Sequence, residues 1–281
     1  MSLLYSEVPV YVGAANATTI TENTAYVPAL DASVDFGAQL VAKRFLGKDV
    51  TSTDQFKTAG PREASISIKA ILDPFTDAAF AFAKSSNQDA SFPIRIGNNT
   101  YQDCFLSDFS LSVDNFAPVT IDANFVSLSP PTGGNVSGDA SPYGGGTIPF
   151  DPDDIVYGYT CSLSNATQAV GNVQYRVSYK KTFNRTPVYT LGAANATSML
   201  LNGVESEMSI ESTGLNSLID FSGGAISSSV VLNLANIDGT TLSTNLPNVG
   251  MVNGSKVVTQ SYSIAGSDTV NTRATIKQID L

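Results

Sequence analysis

Apolar and polar residues alternate with a period of two over several long stretches, the mark of strands with one covered face. In 32–42, Ala32, Val34, Phe36, Ala38, Leu40 and Ala42 alternate with Ser33, Asp35, Gly37, Gln39 and Val41. In 173–183, Val173, Tyr175, Val177, Tyr179, Lys181 and Phe183 alternate with Gln174, Arg176, Ser178, Lys180 and Thr182. "ASISIKAIL" (64–72) and "EMSIES" (207–212) continue the pattern. Asn202-Gly203, Asp238-Gly239 and Asn253-Gly254 lie beside such runs and suit tight turns, because Asn and Gly tolerate positive φ. One segment, "DPFTDAAFAFAKS" (73–85), has helical spacing: Asp73 can cap it, Pro74 fits its first position, and Phe75, Ala79 and Phe82 share a face. A weaker counterpart is "GLNSLIDF" (214–221).

The pattern repeats. The first strands of the two sets are each followed by an arginine, Arg44 and Arg185, 141 residues apart (185 − 44). A loop of about 16–18 residues follows each, and the next strands align at an offset of 142 (Ser67 to Ser209). "FSLSVDNFAPVTIDANFVSL" (109–128) matches "YSIAGSDTVNTRATIKQIDL" (262–281) at about 153, which places some ten extra residues of the second half within 223–256. Between the halves, 129–154 is a Pro/Gly-rich linker or long loop by composition. The expected organisation is mainly β: a first domain at 1–128, the linker at 129–154 and a second domain at 155–281. The hexamer GAANAT occurs at 13–18 and 192–197, 179 apart (192 − 13), which disagrees with the strand offsets and reads as coincidence.

Composition narrows the chemistry. The chain has 281 residues, 42 % of them hydrophobic, so it can bury a sizeable core. Only 14 % are charged, so Ser, Thr, Asn and Gly must cover much of the surface. The formal net charge of −10 and the lack of a Lys/Arg cluster argue against gripping nucleic acid by its phosphates. The most compact basic segment, "KKTFNR" (180–185), reads either as a solvated strand end or as a docking surface for an acidic neighbour. There is no histidine, which removes the commonest general base and metal ligand and excludes Ser-His-Asp and Cys-His designs. Cys104 and Cys161 read as buried thiols. Asp151, Asp153 and Asp154 could in principle hold Ca²⁺, but charge runs usually mark solvated segments, and Asp108 with Asp114 gives no catalytic pair. The reading is of no enzyme, no cofactor and no metal. "MSLLYSEVPV" lacks the features of a signal peptide, no stretch is long and apolar enough for a membrane helix, and the N-x-S/T triplets at Asn16, Asn165 and Asn195 carry no weight in so Ser/Thr-rich a chain.

"VQYRVSYKKTFNRTPVYTLG", leading on to "NGVESEMSIES", resembles the core hairpin of phage tail tube (major tail) proteins, through Arg185, Pro187, Val188, Tyr189, Leu191 and Gly192. "CFLSDFSLSVDNFAPVTIDANFVS" resembles the closing strands of that family. The first half keeps Arg44, Leu46 and Gly47 but lacks the Pro-Val-Tyr. The resemblance implies two tandem tail-tube-like β-sandwich or barrel domains, each with a short flanking helix. It implies that three chains form a pseudo-hexameric ring whose inner sheets join around a lumen, and that rings stack into a tube. The loops at 45–60 and 186–203 would reach the next ring, with Arg44, Leu46, Gly47, Gly60, Arg185, Pro187, Tyr189, Leu191, Gly192 and Gly203 as inter-ring contacts. A water-filled lumen needs a polar inner face, which points to Asp35, Gln39, Asp122 and Asn124. The implied partners are the chain itself, a sheath if the tail contracts, a tape measure, a baseplate, a terminator, and double-stranded DNA passing without specific binding. The implied location is the virion tail, after synthesis in the host cytoplasm, with no membrane. Competing readings are a baseplate hub, tube initiator or terminator of the same fold, and a β-sandwich host-binding module. The lack of Trp counts against the last.

Overall fold

The computed structural model describes residues 8–21, 25–42, 56–73, 79–129, 131–132, 151–164, 173–193, 195–213, 224–226, 228–237, 239, 249–265 and 269–280. Within these the alternating stretches are strands, and the chain is mainly β with antiparallel sheets. In the first half they are β1 (Val10–Val12), β2 (Tyr26–Val27), β3 (Ala29–Ala42), β4 (Phe56–Ile71), β5 (Ser91–Ile96), β6 (Asn99–Asp114) and β7 (Thr120–Ser127). In the second they are β8 (Ser162–Ser164), β9 (Val173–Val188), β10 (Ser198–Thr213), β11 (Val230–Asn233), β12 (Gly250–Met251), β13 (Lys256–Ala265) and β14 (Thr269–Asp280).

Eight long strands form one sheet in the order β3-β4-β7-β6-β9-β10-β14-β13. The first four and the last four repeat one arrangement. With β4 and β10 aligned at 142 (Ile66 to Met208), the registers fix the rest. Val34 opposite Ile66 answers Tyr179 opposite Met208, so β3 and β9 lie 145 apart (179 − 34). Phe125 answers Ile276, so β7 and β14 lie 151 apart (276 − 125). Leu106 answers Val257, again 151 (257 − 106). The irregularities also coincide. The β6–β7 ladder slips between Leu106 and Asp108, and β13–β14 slips between Val257 and Thr259, so Ser107 and Val258 are equivalent bulge residues. Arg185 therefore answers Leu40, not Arg44, and the arginine spacing of 141 is four residues off the structural register. An even slip leaves the side-chain faces unchanged, which is why the pattern tolerated it.

The two halves join where β6 pairs with β9 over seven residues, Asp108 to Asp114. The upper part of the same edge of β6 pairs instead with β5, which carries β1 and β2. This branch covers the inner face of the first half: Phe92 of β5 stands 6.4 Å from Phe125 of β7, and Phe82 stands 5.3 Å from Phe125. In the second half the small sheet β12-β11-β8 provides cover, with β12 against β10 and β14. Gly250 is required there, since a Cβ would meet the Val230 carbonyl oxygen at 2.2 Å. Ile66, Ile68, Leu111, Ile121, Met208, Ile210 and Ile276 lie buried beneath these covers.

The expected helix at 73–85 does not form in its described part. Ala81–Ala83 and Ser85–Asn87 are 3₁₀ turns separated by the extended residue Lys84, and 74–78 lie outside the described residues. Ala79, Phe80, Ala81 and Phe82 are all buried, so the segment plugs the core rather than presenting one face. Asn87 donates its side-chain amide to the Ala81 carbonyl, a competitor to helical bonding. The counterpart at 214–221 lies outside the described residues. The long loops are also shorter than expected. Of 186–203, Thr186, Pro187 and Val188 belong to β9 and Ser198 to Gly203 to β10, leaving a connection of 189–197. In the first half β4 begins at Phe56, and 43–55 lie outside the described residues.

The ends of the linker hold to the first half. Thr132 and Thr100 exchange backbone bonds of 2.9 and 2.8 Å, and Val156 sits between the Leu72 carbonyl and the Val119 amide. The two GAANAT copies occupy unlike places. The first follows β1, with its Gly13 amide on Pro93, and the second forms the tip between β9 and β10.

Candidate functional site

One face of the eight-strand sheet is buried over its inner strands and the other is polar. Because the side-chain period is two, the residues between the core positions all emerge on the open side. The registers line them into rows. One row runs Asp31, Lys69, Asp122, Ser110, Lys180, Glu207, Lys277, Lys256 across all eight strands. A second runs Ser33, Ser67, Asn124, Asp108, Thr182, Glu205. A third runs Asp114, Arg176, Glu211, Arg273, Ser261.

Opposite charges meet along these rows. Arg176 Nε stands 2.5 Å from Asp114 and its Nη1 3.7 Å from Glu211, which Arg273 reaches at 3.8 Å. Lys277 Nζ stands 2.7 Å from Glu207. The hydrogen bond and charge of Asp114 raise the Arg176 pKa, and those of Glu207 raise that of Lys277. Asn124 donates to Asp108 at 2.9 Å. The halves differ in sign. The first carries Asp31, Asp35, Glu63, Asp108, Asp114 and Asp122 against Lys69. The second carries Arg176, Lys180, Lys256, Arg273 and Lys277 against Glu205, Glu207 and Glu211.

The β9–β10 hairpin projects past the sheet as an arm. Its tip, 186–202, has no charged residue, and it exposes Val188, Tyr189, Leu200 and the fully exposed Leu191. Gly192 turns the tip at φ +91°. Tyr189 donates its hydroxyl to Glu63, which raises the phenol pKa to about 12 and ties the arm to β4.

Of the residues expected at a lumen, Asp35, Asp122 and Asn124 lie on the polar face; Gln39 lies in β3, its side chain outside the described part. Arg44, Leu46 and Gly47 lie outside the described residues. Gly60 is in β4, where Ala59, Gly60 and Pro61 oppose the single residue Gln39; Gly203 borders the corresponding irregularity in β10, between Leu201 and Gly203. Pro187 pairs with Met199 in the ladder. Arg185 departs from the expected inter-ring role because its side chain is only 5 % exposed and held within its own chain. Its Nε donates to the Leu106 carbonyl at 2.8 Å, its Nη2 to the Gln88 carbonyl, and its plane lies 5.6 Å from the rings of Phe105 and Phe183. It fills the fork where β5 and β9 diverge from β6. Burial lowers its pKa; Asp89, at 4.0 Å from Nη1, is too distant for a hydrogen bond. The charge rows of the second half were not picked out in the sequence, although Glu205, Glu207 and Glu211 stand at even spacing in "VESEMSIES". No family model and no curated protein matches the sequence.

Proposed function

We propose that the chain is the structural subunit of a bacteriophage tail tube, three copies closing into a pseudo-hexameric ring and the rings stacking around a lumen that conducts DNA. The observation that carries this reading is the doubled four-strand unit in one sheet, covered on one face and polar on the other. A wide sheet with an open polar face suits the wall of a water-filled channel, with the cover layers outside. Three chains supply 24 strands (3 × 8). At about 4.8 Å spacing and about 40° tilt these close to a barrel roughly 48 Å across, and side chains of about 5 Å leave room for a duplex. The acidic excess of the first half and the pairing of Arg176, Arg273 and Lys277 with carboxylates in the second both disfavour phosphate binding. The uncharged arm tip suits the end-to-end contact that turns rings into a filament.

Electron microscopy of the purified chain, with light scattering alongside, tests the reading. Hollow tubes with six density lobes around an open channel are expected. Closed rings that never stack would assign the chain to a tube initiator or terminator. A chain that stays monomeric at high concentration and binds glycans would replace the reading with a host-binding module.

A further inference from the structure

The sheet ends in two long edges. Among the described residues, β3 has β4 as its one strand partner and β13 has β14. At the start of β13, Lys256 and Val257 already pair with Ala225 and Gly224; past Val258, residues 259–265 of β13, like the 14-residue β3, present rows of backbone donors and acceptors that invite another strand. On the covered side of β3, Ala32 and Val34 are half-buried and Phe36 is 43 % exposed, so the apolar layer runs up to this edge and stops. At the equivalent place on β9 the row is complete: Val177 and Tyr179 are buried and face Val113 and Leu111 of β6.

The chain thus contains one finished seam, β6 against β9, and the two halves of an unfinished one. By the repeat, β13 is the equivalent of β6 and β3 the equivalent of β9. The strand directions agree, since β13 beside β3 of another copy would be antiparallel, as β6 is to β9. We propose that a second copy of this chain docks β13 on β3 in the register of the internal seam, placing Ser263 opposite Ser33, Ser261 opposite Asp35 and Thr259 opposite Gly37. The positions come from Ser112 opposite Ser178, Ser110 opposite Lys180 and Asp108 opposite Thr182. They are carried forward by 151 on one strand and back by 145 on the other. The bulge at Val258 bounds the seam above, as Ser107 bounds the internal one. This deepens the tube reading by fixing which edges meet and in what alignment, and it rests on that reading only for the number of copies in the ring.

Paired cysteines test it in the full chain. Ser33→Cys with Ser263→Cys, and separately Asp35→Cys with Ser261→Cys, place thiols directly opposite each other between copies. Ser33→Cys with Ser261→Cys is the diagonal control, and the unsubstituted protein under the same oxidant sets the background from Cys104 and Cys161. Directly opposed positions are expected to cross-link about tenfold faster than the diagonal pair. The products, on non-reducing gels, would be dimers and then closed rings. Rings or tubes in the microscope with no preference for the opposed pairs would overturn the register while leaving the tube reading intact. Cross-linked closed rings that never elongate would uphold the seam and remove the tube. Protein that stays monomeric and forms no cross-link between copies would overturn the seam.

Discussion

Arg185 shows how a residue can stand out in the sequence while its partners stay hidden there. Its position after an amphipathic strand marks it in the sequence, but apart from its strand neighbour Phe183 its contacts are with Leu106, Gln88 and Phe105, from the other half of the chain. Nothing in local spacing announces a contact across 79 residues. Replacing it with Ala orphans the part-buried Leu106 and Gln88 carbonyls and empties the fork, so the urea midpoint should report a loss of about 2–4 kcal/mol. Lysine should not rescue it, because a point charge reproduces neither the forked donors nor the stacking. Cys104 makes a second prediction at this scale. Burial pushes its thiol from 9.0 up to about 12, so the folded state favours the protonated form. Its contribution is therefore complete below pH 9 and is lost as pH rises toward 12. The unfolding midpoint should fall across that window, and Cys104→Ala should flatten the fall while lowering stability at neutral pH through the cavity it leaves. Tyr189, raised to about 12 by its bond to Glu63, should retain part of the slope.

Among the elements, the strands were legible and their ends were not. Period-two alternation finds β3, β4, β9 and β10 because each has one covered face, and the same alternation placed Asp35, Asp122 and Asn124 on the open one. The hairpin arm was missed as strand because "TPVYTLGAANATSM" contains Pro, Gly and Asn and buries little. There the ladder itself, Ser198 against Val188 and Leu200 against Thr186, extends the strands without a core beneath them. The described part of 73–85 fails as a helix because burial of all four residues Ala79, Phe80, Ala81 and Phe82 overrides local propensity. The arm carries its own prediction. Leu191→Asp with Leu200→Asp places two charges on its exposed tip, away from the sheet edges. Rings should still close, and negative-stain images should show them unstacked.

For the molecule as a whole, the distribution of charge matters more than its total. The net −10 conceals cations on the open face of the second half, of which Arg176, Arg273 and Lys277 are paired with carboxylates. Glu207→Gln with Glu211→Gln changes the total by only two but releases Lys277 and Arg273 from their partners, while Arg176 keeps Asp114. The assembled protein should then retain double-stranded DNA in a salt-dependent manner, read by co-sedimentation at low and moderate salt, whereas the unsubstituted assembly should not. Equal retention by both would show that the pairing on this face does not govern passage.

The internal seam between β6 and β9 also bears on counting. A chain that carries two four-strand units cannot build a ring with an odd number of them. In the proposed assembly the nearest mistakes to six units are four and eight, so gaining or losing a chain alters the circumference by about a third, where a single-unit chain would alter it by about a sixth. The curvature imposed at each edge then separates the right ring from the wrong ones by twice the margin. Half of the joints are made while each chain folds, before any two copies meet.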